Sequence, residues 1–199
     1  MVLGASAGQL ASPLERAFTA ACAAIFDAPL LSHGFSRGTA RLEPAFCTQD
    51  YCAGTRYIAV SASADPRDPP FYSNVVLGDG SVDWPDRDWN SVALWRLARD
   101  RGAGTEVSPG NYPLSDSAET QSIPPDLGPL FTRMRDDLVS FAADFLEGDL
   151  RAFRRARAAQ TRARSPYMIH RPDGRGGYVS SVDPASAKLK ERFSLENAE

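Results

Sequence analysis

Apolar positions first recur with a helical period between residues 14 and 25, where Leu14, Phe18, Ala21, Cys22 and Ile25 fall on one stripe. The preceding Ser12-Pro13-Leu14-Glu15 sets the start of that helix. Ser12 caps it, Pro13 brings a preset φ to the first helical position, and Glu15 completes a capping box. Pro29 predicts that the helix stops soon after Ala28.

From Phe35 to about Ser63 the pattern changes, with Gly34 and Gly38 as punctuation. Arg56-Tyr57-Ile58-Ala59-Val60-Ser61 carries the alternation and the β-favouring side chains of a strand. A turn cluster, Asp65-Pro66-Arg67-Asp68-Pro69-Pro70, leads into a second strand, Phe71-Tyr72-Ser73-Asn74-Val75-Val76-Leu77, which ends at Gly78-Asp79-Gly80. Strands joined in this way are expected to be antiparallel neighbours.

Residues 81 to 125 form a long irregular region dense in Pro, Gly, Asp and Ser, and Asn90 to Arg101 within it suits either a short helix or an edge strand. Helical periodicity returns with Leu127, Leu130, Phe131, Met134, Leu138, Phe141, Ala142 and Phe145 on one face, expected to lie against the sheet. Gly148 ends that helix, and Asp149 is placed to cap the next, in which Leu150 and Phe153 are apolar and Arg151, Arg154, Arg155 and Arg157 dominate. Residues 165 to 182 read as a hairpin or extended ribbon around Asp173-Gly174 and Gly176-Gly177. Asp183-Pro184 then starts a short last helix with Ala185, Leu189 and Phe193 on its inner face. The expected architecture is one α+β domain over residues 1–199, with 1–11 as a flexible lead and 165–199 as an extension. Its antiparallel sheet of about four strands is packed against the N-terminal helix and two helices of the C-terminal half.

Composition narrows the classes of function without selecting one. With 43% hydrophobic and 10% aromatic residues in 199, the chain has material for a core that needs no staples. A formal net charge of −3 lacks the basic excess of a nucleic-acid binder. Three cysteines are an odd set for a disulfide framework and suggest reduced thiols, hence a cytoplasmic protein. The first ten residues lack the basic and continuous apolar regions of a secretory signal, and no later stretch is apolar for long enough to span a bilayer. Basic residues other than Lys188 and Lys190 are all arginine, which suggests a GC-rich, bacterial genome.

Candidate chemistry is sparse. Cys47 and Cys52 could clip a zinc ion if His33 and His170 supplied nitrogen ligands, although zinc sites commonly pair their ligands at tighter, repeated spacings. These four residues also define the alternative reading, a small enzyme or metal protein; His33 fits a turn and no Gly-x-Ser-x-Gly elbow accompanies it. Asp79, Asp83, Asp86 and Asp88 lack the ordered spacing of a calcium loop. Trp84 and Trp89, with Trp95, could form an aromatic recognition surface or pin a long loop to the core. Arg151, Arg154 and Arg155, continued by Arg157, Arg162 and Arg164, concentrate positive charge suited to an acidic protein surface.

The order of these features resembles an uncharacterised family of small bacterial α+β proteins with a domain of unknown function. The shared features are the opening helix, Gly34-Phe35-Ser36-Arg37, the strand segment Asn74-Val75-Val76-Leu77-Gly78, a Trp-bearing middle and the helical region from Leu138 to Phe153. The resemblance covers about residues 12 to 155. Such proteins are similar in size to the immunity and accessory proteins that accompany bacterial toxins, which implies a binding role more than a catalytic one. The expectation is therefore a protein-interaction module with no cofactor, no nucleic-acid or membrane partner and an acidic protein partner, bound through Trp84, Trp89, Arg151, Arg154 and Arg155.

Overall fold

The computed structural model describes residues 12–43, 45–65, 72–102, 112–113 and 126–195. Its elements run α1 (Pro13–Ile25), α2 (Asp27–Ser32), β1 (Ser36–Glu43), β2 (Phe46–Ala53), β3 (Arg56–Ser63), β4 (Tyr72–Asp79), α3 (Asp86–Asn90), β5 (Ser91–Ala93), α4 (Leu94–Asp100) and β6 (Tyr112–Pro113). The C-terminal half continues with α5 (Gly128–Phe141), α6 (Ala143–Glu147), α7 (Arg151–Ala163), β7 (Met168–Pro172), β8 (Tyr178–Val182) and α8 (Pro184–Ser194).

The capping box forms as the sequence dictates: the Glu15 amide donates to Ser12 Oγ and the Ser12 amide to the Glu15 carboxylate. Pro29 does not end the helical region. It stands in the first turn of α2, where a missing N–H costs nothing because that turn's amides have no intrahelical acceptor. The helix expected to run from Leu127 breaks at Ala142 into α5 and α6. Gly148, at φ 98°, closes α6 in the left-handed conformation.

The sheet is larger than the four strands expected. β1 to β5 follow one another in chain order, each antiparallel to its neighbour, and the two-residue β6 also pairs with β4. One strand not named from the sequence is β1, whose residues are all exposed, so no alternation of buried and exposed positions announces it. Asn90 to Arg101 proves to be strand and helix in succession, β5 running directly into α4. The expected turn at 66–70 and most of 103–125 lie outside the described residues, as does the lead at 1–11.

Strand parity divides the sheet into two faces. Cys47, Tyr51, Ile58, Val60, Ala62, Val75, Leu77 and Val92 point into one apolar core with Leu14, Phe18 and Cys22 of α1 and Phe131, Met134 and Leu138 of α5. Phe131 meets Phe18 and Phe26 edge-on at 5.7 and 5.8 Å between ring centroids. On the opposite face Gly78 pairs with Tyr57, and the Tyr57 ring lies where a side chain of residue 78 would stand. Arg56 ties β3 to α6 by donating to the Phe145 and Leu146 carbonyls, the favoured place for a cation at a helix C-terminus.

The C-terminal hairpin of β7 and β8 is a separate two-stranded sheet. It is tied to α8 where the Tyr167 amide donates to Ser186 Oγ, and Asp183 caps that helix through the amides of Ala185 and Ser186. The inner face of α8 is formed by Ser186 and Phe193, while Ala185 is exposed. Among the described residues no helix is long and apolar enough to cross a membrane.

Candidate functional site

The arginines expected to form one stripe on α7 have separate fates, because successive residues of a helix point about 100° apart. Arg151 folds back onto Asp149, with contacts of 2.6 to 3.0 Å that hold the Asp149 carboxyl down to about 2. Arg154 reaches Asp79 at the end of β4, at 3.6 Å. Arg157 is 1% exposed and belongs to the interior, which corrects its reading as surface charge. Its guanidinium lies between the rings of Phe153 and Phe193, at 4.9 and 4.7 Å, and donates to the Asp79 and Asn90 carbonyls. Arg164 crosses to Asp88 and covers the Trp89 ring at 4.7 Å.

Arg155 and Arg162 keep their charge available. Both line a groove of about 690 Å³ between α4 and α7, with Leu97, Asp100 and Arg101 on one wall and Ala152, Ala156 and Ala159 on the other. The alanines recur at helical spacing and leave the room that larger side chains would fill. Asp144, also on the rim, is engaged by Arg101 at 2.5 Å. Among the described residues Arg162 donates to the Ser194 carbonyl, and no carboxylate lies within ion-pair distance of Arg155. Positive charge is thus left over at the rim beside the alanine wall.

The two tryptophans are not one surface. Trp89 is 1% exposed, wedged edge-on against Tyr167 at 5.7 Å, and contributes to packing rather than to an exposed face. Trp84 is 74% exposed and stacks on the outer side of the same Tyr167 ring at 6.4 Å. The Tyr167 hydroxyl donates to Asp88, which together with burial pushes its pKa up to about 12. The guanidinium groups of Arg96 and Arg99 lie 4.5 and 5.0 Å from the Trp95 ring on α4.

The sulfur and imidazole candidates are dispersed. Cys47 and Cys52 sit five positions apart on β2 and therefore project from opposite faces of the sheet, so no ion at zinc–sulfur distances of about 2.3 Å reaches both. Cys47 is buried in the core, where desolvation raises its thiol to about 11. Cys52 shares a smaller cavity, of about 260 Å³, with Gly38, Thr39, Arg41 and the buried Asp50, whose carboxylate pairs with Arg87 at 3.3 Å. His33 is the C-cap of α2, and His170 lies on the exposed hairpin, its Nδ1 2.7 Å from Ser180 Oγ. Among the described residues no three His, Cys, Asp or Glu side chains gather as metal ligands. Compared with protein-family models, curated proteins and solved structures, the chain finds no match.

Sequence reasoning named Arg155 but missed its setting, since Leu97 and Arg101 of α4 and Asp144 of α6 come from segments distant from it along the chain. The signal within reach was the alanine spacing at 152, 156 and 159, which marks a helix face too small to fill an interface.

Proposed function

We propose that the protein is an interaction module, of the immunity or accessory kind, that takes an acidic segment of a partner protein into the groove between α4 and α7. The observation that carries this reading is the pair Arg155 and Arg162, whose charge among the described residues is not spent on a carboxylate of the chain's own, beside an alanine-lined wall. Guanidinium groups bind carboxylates in a planar, two-pronged geometry, and the alanine wall adds contact area for the aliphatic side chains between them. Such a site recognises but performs no bond chemistry, in keeping with a binding role. Arg151 and Arg154, already paired with Asp149 and Asp79, are assigned to the rim and to stability.

The test is fluorescence anisotropy with a short labelled peptide alternating glutamate and leucine. Reversing both charges, Arg155→Glu with Arg162→Glu, is expected to weaken binding by at least about tenfold, equivalent to about 1.4 kcal/mol. Arg151→Glu should leave it within about twofold, as rim charges already paired contribute little. Equal loss in both variants would mean that binding follows overall charge and not the groove, and would remove the assignment.

A further inference from the structure

The hairpin ends in a strand edge that the rest of the fold leaves open. Tyr178, Val179 and Val182 on β8 are 73%, 61% and 48% exposed, and no described residue covers them. The Asp183 amide donates to the Tyr167 carbonyl and the Asp173 amide to the Gly177 carbonyl. In an antiparallel ladder such bonded pairs alternate, so 169 with 181 and 171 with 179 face inward. The amides and carbonyls of Tyr178, Ser180 and Val182 consequently point away from β7.

The edges of β1 and β7 carry obstacles to pairing that β8 lacks. β1 has a bulge between Arg37 and Ala40 and bears Arg37, Arg41 and Glu43. The outward positions of β7 are Met168, His170 and Pro172, and Pro172 has no N–H to give. β8 reads Tyr-Val-Ser-Ser-Val, with no charge, no proline and no bulge.

We propose that β8 is a self-association edge whose partner is β8 of a second copy of this chain, paired antiparallel about a two-fold axis at Ser180. The strand is complementary to itself in that register. Tyr178 falls opposite Val182 of the second copy, Ser180 opposite its own counterpart, and Val182 opposite Tyr178. All three are outward positions, so each pair exchanges two backbone hydrogen bonds. The aromatic–β-branched pairs form twice, on the face that also carries Met168 and Pro172, and no like charges meet at the axis. A two-strand junction is small, below the roughly 1,200 Å² of stable complexes, so the dimer is weak and forms in a concentration-dependent equilibrium.

Sedimentation velocity of the full chain, from low micromolar to near-millimolar, tests this. The expected result is a shift from monomer to dimer that Ser180→Lys and Ser180→Asp each weaken by at least about tenfold, because like charges then meet about 5 Å apart across the axis. Mixing the two variants should restore association to within about threefold of the unmodified protein, since opposite charges face one another in the mixed pair. Circular dichroism spectra matching the unmodified protein confirm that the variants are folded. An unmodified protein that stays monomeric throughout, a dimer indifferent to both variants, or a mixture that fails to associate would each overturn the proposal. So would monomers holding a stoichiometric foreign chain on β8, which would make the occupant a different protein. Arg155→Glu with Arg162→Glu should leave the dimer unchanged, so failure here and failure of the groove reading are told apart.

Discussion

Replacing Arg157 with alanine measures how much one interior guanidinium contributes to holding α7 and α8 to the body of the protein. The side chain touches Phe153 on its own helix, Phe193 on α8, and the carbonyls of Asp79 and Asn90 at 3.3 Å. A desolvated cation–ring contact is worth about 2 kcal/mol, and there are two. Hydrogen bonds from a charged donor add about 1.5 to 3 kcal/mol, the low end applying at this length, and their loss strands two carbonyls. Against this stands the desolvation cost of the buried charge, several kcal/mol, which is recovered when the guanidinium is removed. The void left by truncation adds to the loss. The net expectation is a destabilisation of about 3–5 kcal/mol for Arg157→Ala and about 1–2 kcal/mol for Arg157→Met, which refills the space between the rings. Urea unfolding followed by circular dichroism should show a lower midpoint at unchanged slope, and the alanine variant should melt about 8–15 °C earlier. A loss under about 1 kcal/mol for alanine would refute the reasoning, because the rings would then hold α8 without the charge.

Gly78→Ala should destabilise by about 3 kcal/mol in the same assay, because the new Cβ would lie 2.0 Å from Tyr57 Cζ and that ring is pinned by its hydroxyl donating to Asn90. Tyr57→Phe, which removes the hydroxyl with its bonds to Asn90 and Ser91 and keeps the ring, should cost about 1–2 kcal/mol and serves as its control. Ellman's reagent at neutral pH should label Cys52 alone in the folded protein and all three cysteines in urea, since Cys22 and Cys47 are buried; comparable native labelling of Cys22 would contradict the packing of α1 on the sheet. Burial raises Cys22 to about 12, Cys47 to about 11 and Tyr167 to about 12, from ordinary values of 9.0 for the thiols and 10.0 for the phenol. Above about pH 9 the unfolded chain releases protons that the folded one retains, so stability falls as pH rises. The urea midpoint should hold level at lower pH and decline between about pH 9 and 12, and a midpoint that stays level through this range would show these groups to be solvated.

Much of the secondary structure is written in local signals. The Ser12–Glu15 box, Gly148 and the Asp183-Pro184 start need only neighbours a few residues away, as does the Asp173-Gly174 turn, where the Asp173 carboxylate accepts the Arg175 and Gly177 amides. β4 was legible because its buried residues alternate, and β3 because it is a short run of β-favouring residues, although Tyr57 to Val60 are buried on both faces. β1 was not, because an edge strand exposed throughout has no pattern to read. Pro29 misled for a related reason, since the same residue that breaks a helix interior is harmless in a first turn.

The candidate site was less legible than the fold. The sequence by itself determined that α7 is rich in arginine and that tryptophans cluster near residue 84, which are matters of composition and spacing. Only the tertiary structure decided that Arg157 is interior while Arg155 faces a groove and that Trp89 is buried while Trp84 is exposed. Each outcome depends on partners far along the chain, Phe193 for Arg157, Leu97 for the groove and Tyr167 for the tryptophans. Burial is a property of what surrounds a side chain, and a helical or strand period states only which residues share a face, not what that face will meet.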